Sequence, residues 1–164
     1  TTIIRSPYRK RTTCERNPME NLVIELLPAD YEAIAELWEA SVRATHHFLK
    51  PEEIGFYKPY LLKYALPACR LYGIKTNEGK LCAFIGLSDD KIEMLFVNPK
   101  FFKNGCGRRL VDFAEREKNI KKVDVNEENP QALAFYLHMG FNIAGRSELD
   151  GNGKPHPLLF LQKD

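Results

Sequence analysis

"MLFVNPKFFKNGCGRRLVDFAE", residues 94–115, is the stretch whose reading decides the fold. An apolar run stops at Pro99. The next residues, "FFKNGCGRR" (101–109), crowd two glycines and three basic residues together. An amphipathic segment follows, with Leu110, Val111 and Ala114 on one side, so the pattern is strand, tight loop, helix. A helix opening at Gly105–Gly107 presents unpaired backbone N–H groups and the positive end of its dipole. Glycines let an anion approach those groups, and Lys103, Arg108 and Arg109 add charge at the same mouth. Physics alone therefore gives an anion site at a helix start, though a bare turn would look the same. The loop is not a P-loop, because G-x-x-x-x-G-K-[ST] is absent. A dinucleotide fingerprint would need a glycine where Leu110 stands.

Downstream, "IKKVDVN" (120–126) reads as a short strand. "NPQALAFYLHMG" (129–140) reads as a helix with Pro130 at its first position and Gly140 as its C-cap. "FNIAGRSEL" (141–149) and "HPLLFLQ" (156–162) are strands around the turn "DGNGK". Upstream, "KIEMLFV" (91–97) is a strand, and 69–88 is a hairpin around "TNEGK". "NLVIELLP" (21–28) is a first strand. A helix over 29–45 follows, with Ile34, Leu37, Trp38 and Val42 at helical spacing and Asp30 as N-cap. Residues 51–67 are a second helix that Pro59 should break or kink. A strand, helix, strand succession requires a parallel crossover, and hairpins require antiparallel pairs. The expected fold class is α/β, a mixed central sheet of about seven strands flanked by four helices.

The chain has 164 residues, 44% hydrophobic and 28% charged, which fits one domain with a real core. Its net charge of +2 exerts no strong pull on nucleic acid or membrane. No apolar run of about 18 residues exists to span a bilayer. Residues 1–18 carry five basic residues against Glu15 and show no sustained periodicity. Met19 precedes the first apolar pattern and reads as a start, so 1–18 is an N-terminal extension and 19–164 the domain. A nucleic-acid arm is the rival reading of that extension. None of the four cysteines forms a C-x-x-C pair, so no metal is expected. Without a secretion signal, a cytoplasmic location is expected.

"LFVNPKFFKNGCGRRLVDFAE" (95–115) followed by "VNEENPQALAFYLHMGF" (125–141) resembles the GNAT family of acetyl-CoA-dependent N-acetyltransferases. That family shows V-x-P and then [RQ]-x-x-G-x-G at a pyrophosphate loop, followed by N-x-x-A-x-x-F-Y-x-x-x-G-F. The match is close over 91–143, and the element order fits nearly all of 21–162. "SVRATHHFL" (41–49) and "GRSELDGNGKPHPL" (145–158) look, more loosely, like the YjaB-type bacterial subgroup. The resemblance implies acetyl transfer from acetyl-CoA to a primary amine by direct attack, with no metal. The acceptor is a small molecule, a protein lysine or an N-terminus, and protein lysine acetylation enters through the subgroup. The chain would act as a monomer or homodimer with no nucleic-acid or membrane partner. A non-catalytic acyl-CoA-binding sensor or scaffold is the alternative.

By the same resemblance Tyr136 is the acid that protonates the departing CoA thiolate. Lys103, Asn104, Gly105, Cys106, Gly107 and Arg108 form the pyrophosphate loop. Phe96 and Val97 offer backbone groups to the pantetheine arm, on a strand that should splay from its parallel neighbour. Asn129 matches the asparagine that contacts the same arm, and is equally the N-cap of the helix begun by Pro130. The family keeps Arg or Gln where this chain has Phe102. That side-chain contact is then lost, which favours the sensor reading, while backbone N–H groups remain and Lys103 or Arg108 supplies charge. Glu93 interrupts an apolar strand, sharing the face of Leu95 and Val97 in a regular alternation, and is the candidate base. His46, beside His47 at the end of the first helix, is a substrate-binding candidate or a helix C-terminal cation.

Overall fold

The computed structural model describes residues 22–45 and 50–164. The expectations for residues 1–18, His46 and His47 lie outside the described residues. Seven strands form one sheet: β1 (Ile24–Glu25), β2 (Arg70–Lys75), β3 (Leu81–Leu87), β4 (Ile92–Val97), β5 (Lys122–Asn126), β6 (Asn142–Ser147) and β7 (Leu158–Gln162). Their spatial order is β1-β2-β3-β4-β5-β7-β6. Four helices accompany them among the described residues: α1 (Tyr31–Thr45), α2 (Pro51–Tyr60), α3 (Cys106–Lys118) and α4 (Pro130–His138). The sheet is mixed, as expected. Among the described residues only β4 and β5 run parallel, because α3 carries the chain between them.

The helix starts follow local hydrogen-bond chemistry. Asp30, expected as the N-cap of the first helix, sits instead in a short 3-10 turn at Pro28–Asp30. Its carboxylate accepts from the Leu27 N–H at 2.8 Å and from Lys75 Nζ at 3.0 Å. The backbone donor first, then Lys75, holds its pKa below the usual carboxylate range. The Glu53 carboxylate accepts from the Lys50 N–H at 3.0 Å and closes the start of α2. Pro59 does not end that helix. The chain continues through a π-helical turn at Leu61–Ala65, where the Leu66 N–H reaches Leu61 O at 2.9 Å. A proline cannot donate to the ladder, and the wider turn absorbs the irregularity. Pro130 and Gly140 bracket α4 as expected, Gly140 taking φ of 102°. The first strand is shorter than the 21–28 apolar run, only Ile24–Glu25.

The sheet separates two apolar clusters. On one face α3 and α4 pack Leu110, Val111, Ala114 and Tyr136 against Ile85, Ile92, Val123 and Val125. On the other α1 and α2 pack Ile34, Leu37, Trp38, Val42 and Ile54 against Phe84, Met94 and Phe96. Glu39 accepts from both Arg43 and Lys58, which ties α1 to α2. Among the described residues no helix is long and apolar enough to cross a membrane.

Candidate active site

The parallel pair β4–β5 carries a single register pair, Ile92 with Val123. On its other side β4 pairs with β3 from Ile92 to Val97. The two parallel strands therefore part after one rung, as the splay expectation requires. A cleft of about 440 Å³ opens along this seam. Its walls come from β4, from Val123 to Asn126 on β5, from Trp38, Ser41 and Thr45 on α1, and from the α4 start at Asn129, Gln131, Ala132, Phe135 and Tyr136. Phe102 and Gly107 close one mouth.

The glycine loop takes the shape its sequence demands. Gly105 stands just before α3 with φ of 84°, a left-handed conformation that costs glycine little. Lys103 shares that region at φ of 68°. Gly107 lies in the first turn of α3, and a Cβ there would stand 3.5 Å from the Phe135 ring and 3.7 Å from Val97. Lys103, Asn104, Gly105 and Arg108 stay at the outer loop and helix start, while Cys106 turns into the core at 1% exposure. One guanidinium nitrogen of Arg109, in the same turn, is buried without a hydrogen-bond partner among the described residues. The Phe102 side chain, 38% exposed, lines the cleft. Phe96 and Val97 both border the seam, and the Phe96 ring stacks on Phe84 at 5.7 Å.

Tyr136 enters from α4. Its ring is 5% exposed and sits edge-on to Phe135 at 5.0 Å and Phe141 at 5.4 Å. Burial pushes the phenol pKa well above its ordinary value. The hydroxyl makes no hydrogen bond among the described residues, and the residue lines the cleft. Asn129 caps α4, its side-chain oxygen accepting from the Ala132 N–H at 3.1 Å, and it also borders the cleft. The cap reading and the arm reading thus share one position.

Glu93 needs a correction in its geometry. The β3–β4 register shifts between Gly86 and Leu87, so Leu87 meets Ile92, Gly86 meets Met94, and Glu93 is the extra residue between them. The regular alternation that placed it with Leu95 and Val97 is broken there. Glu93 is exposed, accepts from Ser88 Oγ at 2.9 Å, and borders the cleft. Burial raises the Cys69 thiol pKa, and the Glu93 charge adds to the rise, which places this carboxylate near the α1–α2 side. Across the seam Asp124 also borders the cleft and accepts from Lys91 Nζ at 2.8 Å. That hydrogen bond holds the Lys91 ammonium above its ordinary pKa.

Sequence reasoning missed Trp38, Ser41, Thr45, Asp124, Asn126 and Gln131 as cleft residues. Two signals were there to read. "KVDVN" (122–126) alternates, so Asp124 and Asn126 face away from Val123 and Val125. Ser41 and Thr45 fall on the helical stripe of Ile34 and Trp38, polar residues on a buried face. His156 had no argument from sequence; its Nδ1 lies 2.7 Å from Glu128 Oε1.

The sheet parts at its parallel pair, with the glycine loop and Tyr136 both on the cleft, and the comparisons with known proteins place this arrangement among the acetyltransferases. Residues 67–143 match the acetyltransferase (GNAT) domain. The chain is 37% identical over 130 residues to the peptidyl-lysine N-acetyltransferase YjaB of Escherichia coli strain K12, covering 79% of this chain and 88% of that one. The solution structure of the apo form of YjaB from Escherichia coli superposes with a TM-score of 0.77 at 33% identity, covering 86% of this chain and 95% of that one. The PaiA N-acetyltransferase of Thermoplasma acidophilum, solved in complex with coenzyme A, shares the fold with a TM-score of 0.69 at 18% identity, over 87% of this chain and 98% of that one. The chain belongs to the GNAT acetyltransferases. It is an enzyme, and it transfers acetyl groups to amines.

Proposed function

We propose that the chain carries the acetyl group of acetyl-CoA to the side-chain amine of a protein lysine, by direct attack within the β4–β5 seam. One observation carries this reading: Tyr136, whose hydroxyl makes no hydrogen bond among the described residues, lines the cleft at the parted strands. The peptidyl-lysine activity in the name of its relative supports the choice of acceptor. The donor supplies an activated thioester. The chain's own groups bind it, orient it and manage two protons.

Gly105, Gly107 and the neighbouring N–H groups of the first turn of α3 hold the pyrophosphate, with Lys103, Asn104, Cys106 and Arg108 completing the loop. The Phe102 side chain covers the mouth with apolar surface where relatives of the family place a polar one. Phe96 and Val97 offer backbone groups along the seam, and Asn129 holds the arm from the start of α4. A lysine amine of pKa near 10.4 costs about 4–5 kcal/mol to deprotonate at pH 7, so the acceptor needs a base. Glu93 takes that proton through a water, from the rim of the cleft. Tyr136 gives its proton to the departing thiolate. Burial favours the neutral phenol, so its folded pKa lies above the ordinary value of 10 and the proton stays in place through the alkaline range.

Exchange of Tyr136 for Phe keeps the packing and removes the proton. Release of free thiol from acetyl-CoA should fall about 10²-fold or more in kcat, with acetyl-CoA affinity by calorimetry nearly unchanged. In the wild type the rate should show no alkaline loss near pH 10. An unchanged kcat in Tyr136→Phe removes the acid role.

A further inference from the structure

Phe101 and Phe102 are neighbours at the end of the short 3-10 turn that leads out of β4, and they go separate ways. Phe101 is 7% exposed and belongs to the core cluster on the α3–α4 face. Phe102 belongs to neither core cluster. Its side chain is 38% exposed, lines the cleft, and has no aromatic or cationic partner among the described residues. A single exposed apolar side chain is ordinary on a protein surface. A phenyl ring at the mouth of a binding cleft is different, because a ligand that covers it takes apolar area out of water.

The surroundings of Phe102 say which part of a ligand does so. Val97, Gly107, Ala132 and Phe135 border the same cleft. Val97, Ala132 and Phe135 are partly buried and pack against the core cluster. A Cβ on Gly107 would stand 3.5 Å from the Phe135 ring and 3.7 Å from Val97, so these side chains lie directly against the first turn of α3. An apolar collar therefore follows immediately behind the glycine loop. Coenzyme A has its groups in the same order. Next to the charged pyrophosphate comes a quaternary carbon with two methyl groups, and the amides of the arm come after it. That branched alkyl segment needs apolar cover close to a diphosphate, which lysine and arginine head groups do not give.

Resting on the donor reading above, we propose that Phe102 is a donor-binding residue whose ring covers the gem-dimethyl group of the pantetheine arm, closing a collar with Val97, Ala132 and Phe135. The contact is to the arm, so it holds whether or not the arm carries a nucleotide.

Calorimetric Kd values for CoA, and for pantetheine, which has the arm and no phosphate, test this on the full chain without turnover. Phe102→Ala should raise both Kd values by the same factor, about three- to tenfold. Phe102→Leu keeps apolar bulk and should stay within about twofold of the wild type. Phe102→Gln keeps bulk without apolar character and should lose as much pantetheine affinity as Phe102→Ala. The Leu and Gln variants make the same comparison should the alanine variant fail to fold. A rise for CoA with pantetheine unchanged would put the ring on the nucleotide and overturns the assignment. Unchanged Kd values for both ligands overturn it too, as does an absence of pantetheine binding to the wild type at millimolar concentration. In each of those cases CoA binding by the wild type leaves the donor reading standing. No CoA binding by the wild type overturns that reading, and Phe102 with it.

Discussion

Glu93 owes its address to one extra residue in a strand. Read as an alternation, "KIEMLFV" puts Glu93 on the inward face with Leu95 and Val97. The bulge opposite Gly86 and Leu87 frees it to the rim, where Ser88 holds it. A rim carboxylate suits a base that works through water, since it exchanges protons with solvent. Exchange of Glu93 for Gln should lower kcat/KM for a lysine peptide about 10²-fold at pH 7. The gap should narrow toward pH 10, where the amine loses its proton unaided. A ratio of rates that stays constant from pH 7 to pH 10 sinks the base role. The sequence could not reveal the bulge, because a bulge belongs to two strands and only their register shows it. The placement of Tyr136 on a helix was legible for the opposite reason: that helix is framed by Pro130 and Gly140, and the ring neighbours Phe135 and Phe141 are close in sequence, while its role came from the family resemblance.

Elements with their own punctuation were read correctly from sequence, and so were most strands, while details set by distant contacts, the bulge in β4 and the shortness of β1, were not. The helices α3 and α4 carry glycine and proline at their ends, so local chemistry placed them. The passage from α2 into a π turn was hidden, because Pro59 predicts irregularity without saying which kind. The loop before α3 gives a prediction at this scale, since its two glycines are there for different reasons. Gly105 needs its φ of 84°, and nothing lies within 4 Å of an added Cβ. Gly105→Ala should cost about 1–2 kcal/mol in strain and lower Tm. Gly107 has helical backbone and ordinary clearance to Phe135 and Val97. Gly107→Ala should leave Tm equal or raise it by about 2–4 °C, because alanine stabilises a helix by up to about 1 kcal/mol over glycine. It should also raise KM for acetyl-CoA about tenfold or more by narrowing the mouth, equivalent to about 1.4 kcal/mol of binding. Thermal scans and donor titrations on both variants check the contrast. Equal Tm losses for the two would show that Gly107 serves the turn and not the ligand.

Across the whole molecule the seam divides a sheet that is otherwise continuous. Strands β1 to β4 lie on one side and β5, β7 and β6 on the other, joined at one register pair and stapled by Lys91 and Asp124. The packing of α3 and of its apolar cluster spans both parts. A donor lying in the seam would replace the missing rungs, touching the β4 edge, the α3 start and α4 together. Binding to the folded state alone at 100 times Kd stabilises by about 2.7 kcal/mol. For a chain of this length that raises Tm by about 5–10 °C. Acetyl-CoA should produce that shift in the wild type and in Tyr136→Phe, and a clearly smaller one in Gly107→Ala at the same concentration. Hydrogen exchange should slow at the β4 and β5 amides that face the seam, and not in the β6–β7 hairpin. Those amides are the ones the free fold leaves beyond the last rung. A Tm shift with no slowing at the seam would place the donor elsewhere on the molecule. Slowing at the seam, kept in Tyr136→Phe and weakened in Gly107→Ala, would separate what the cleft holds from what it does.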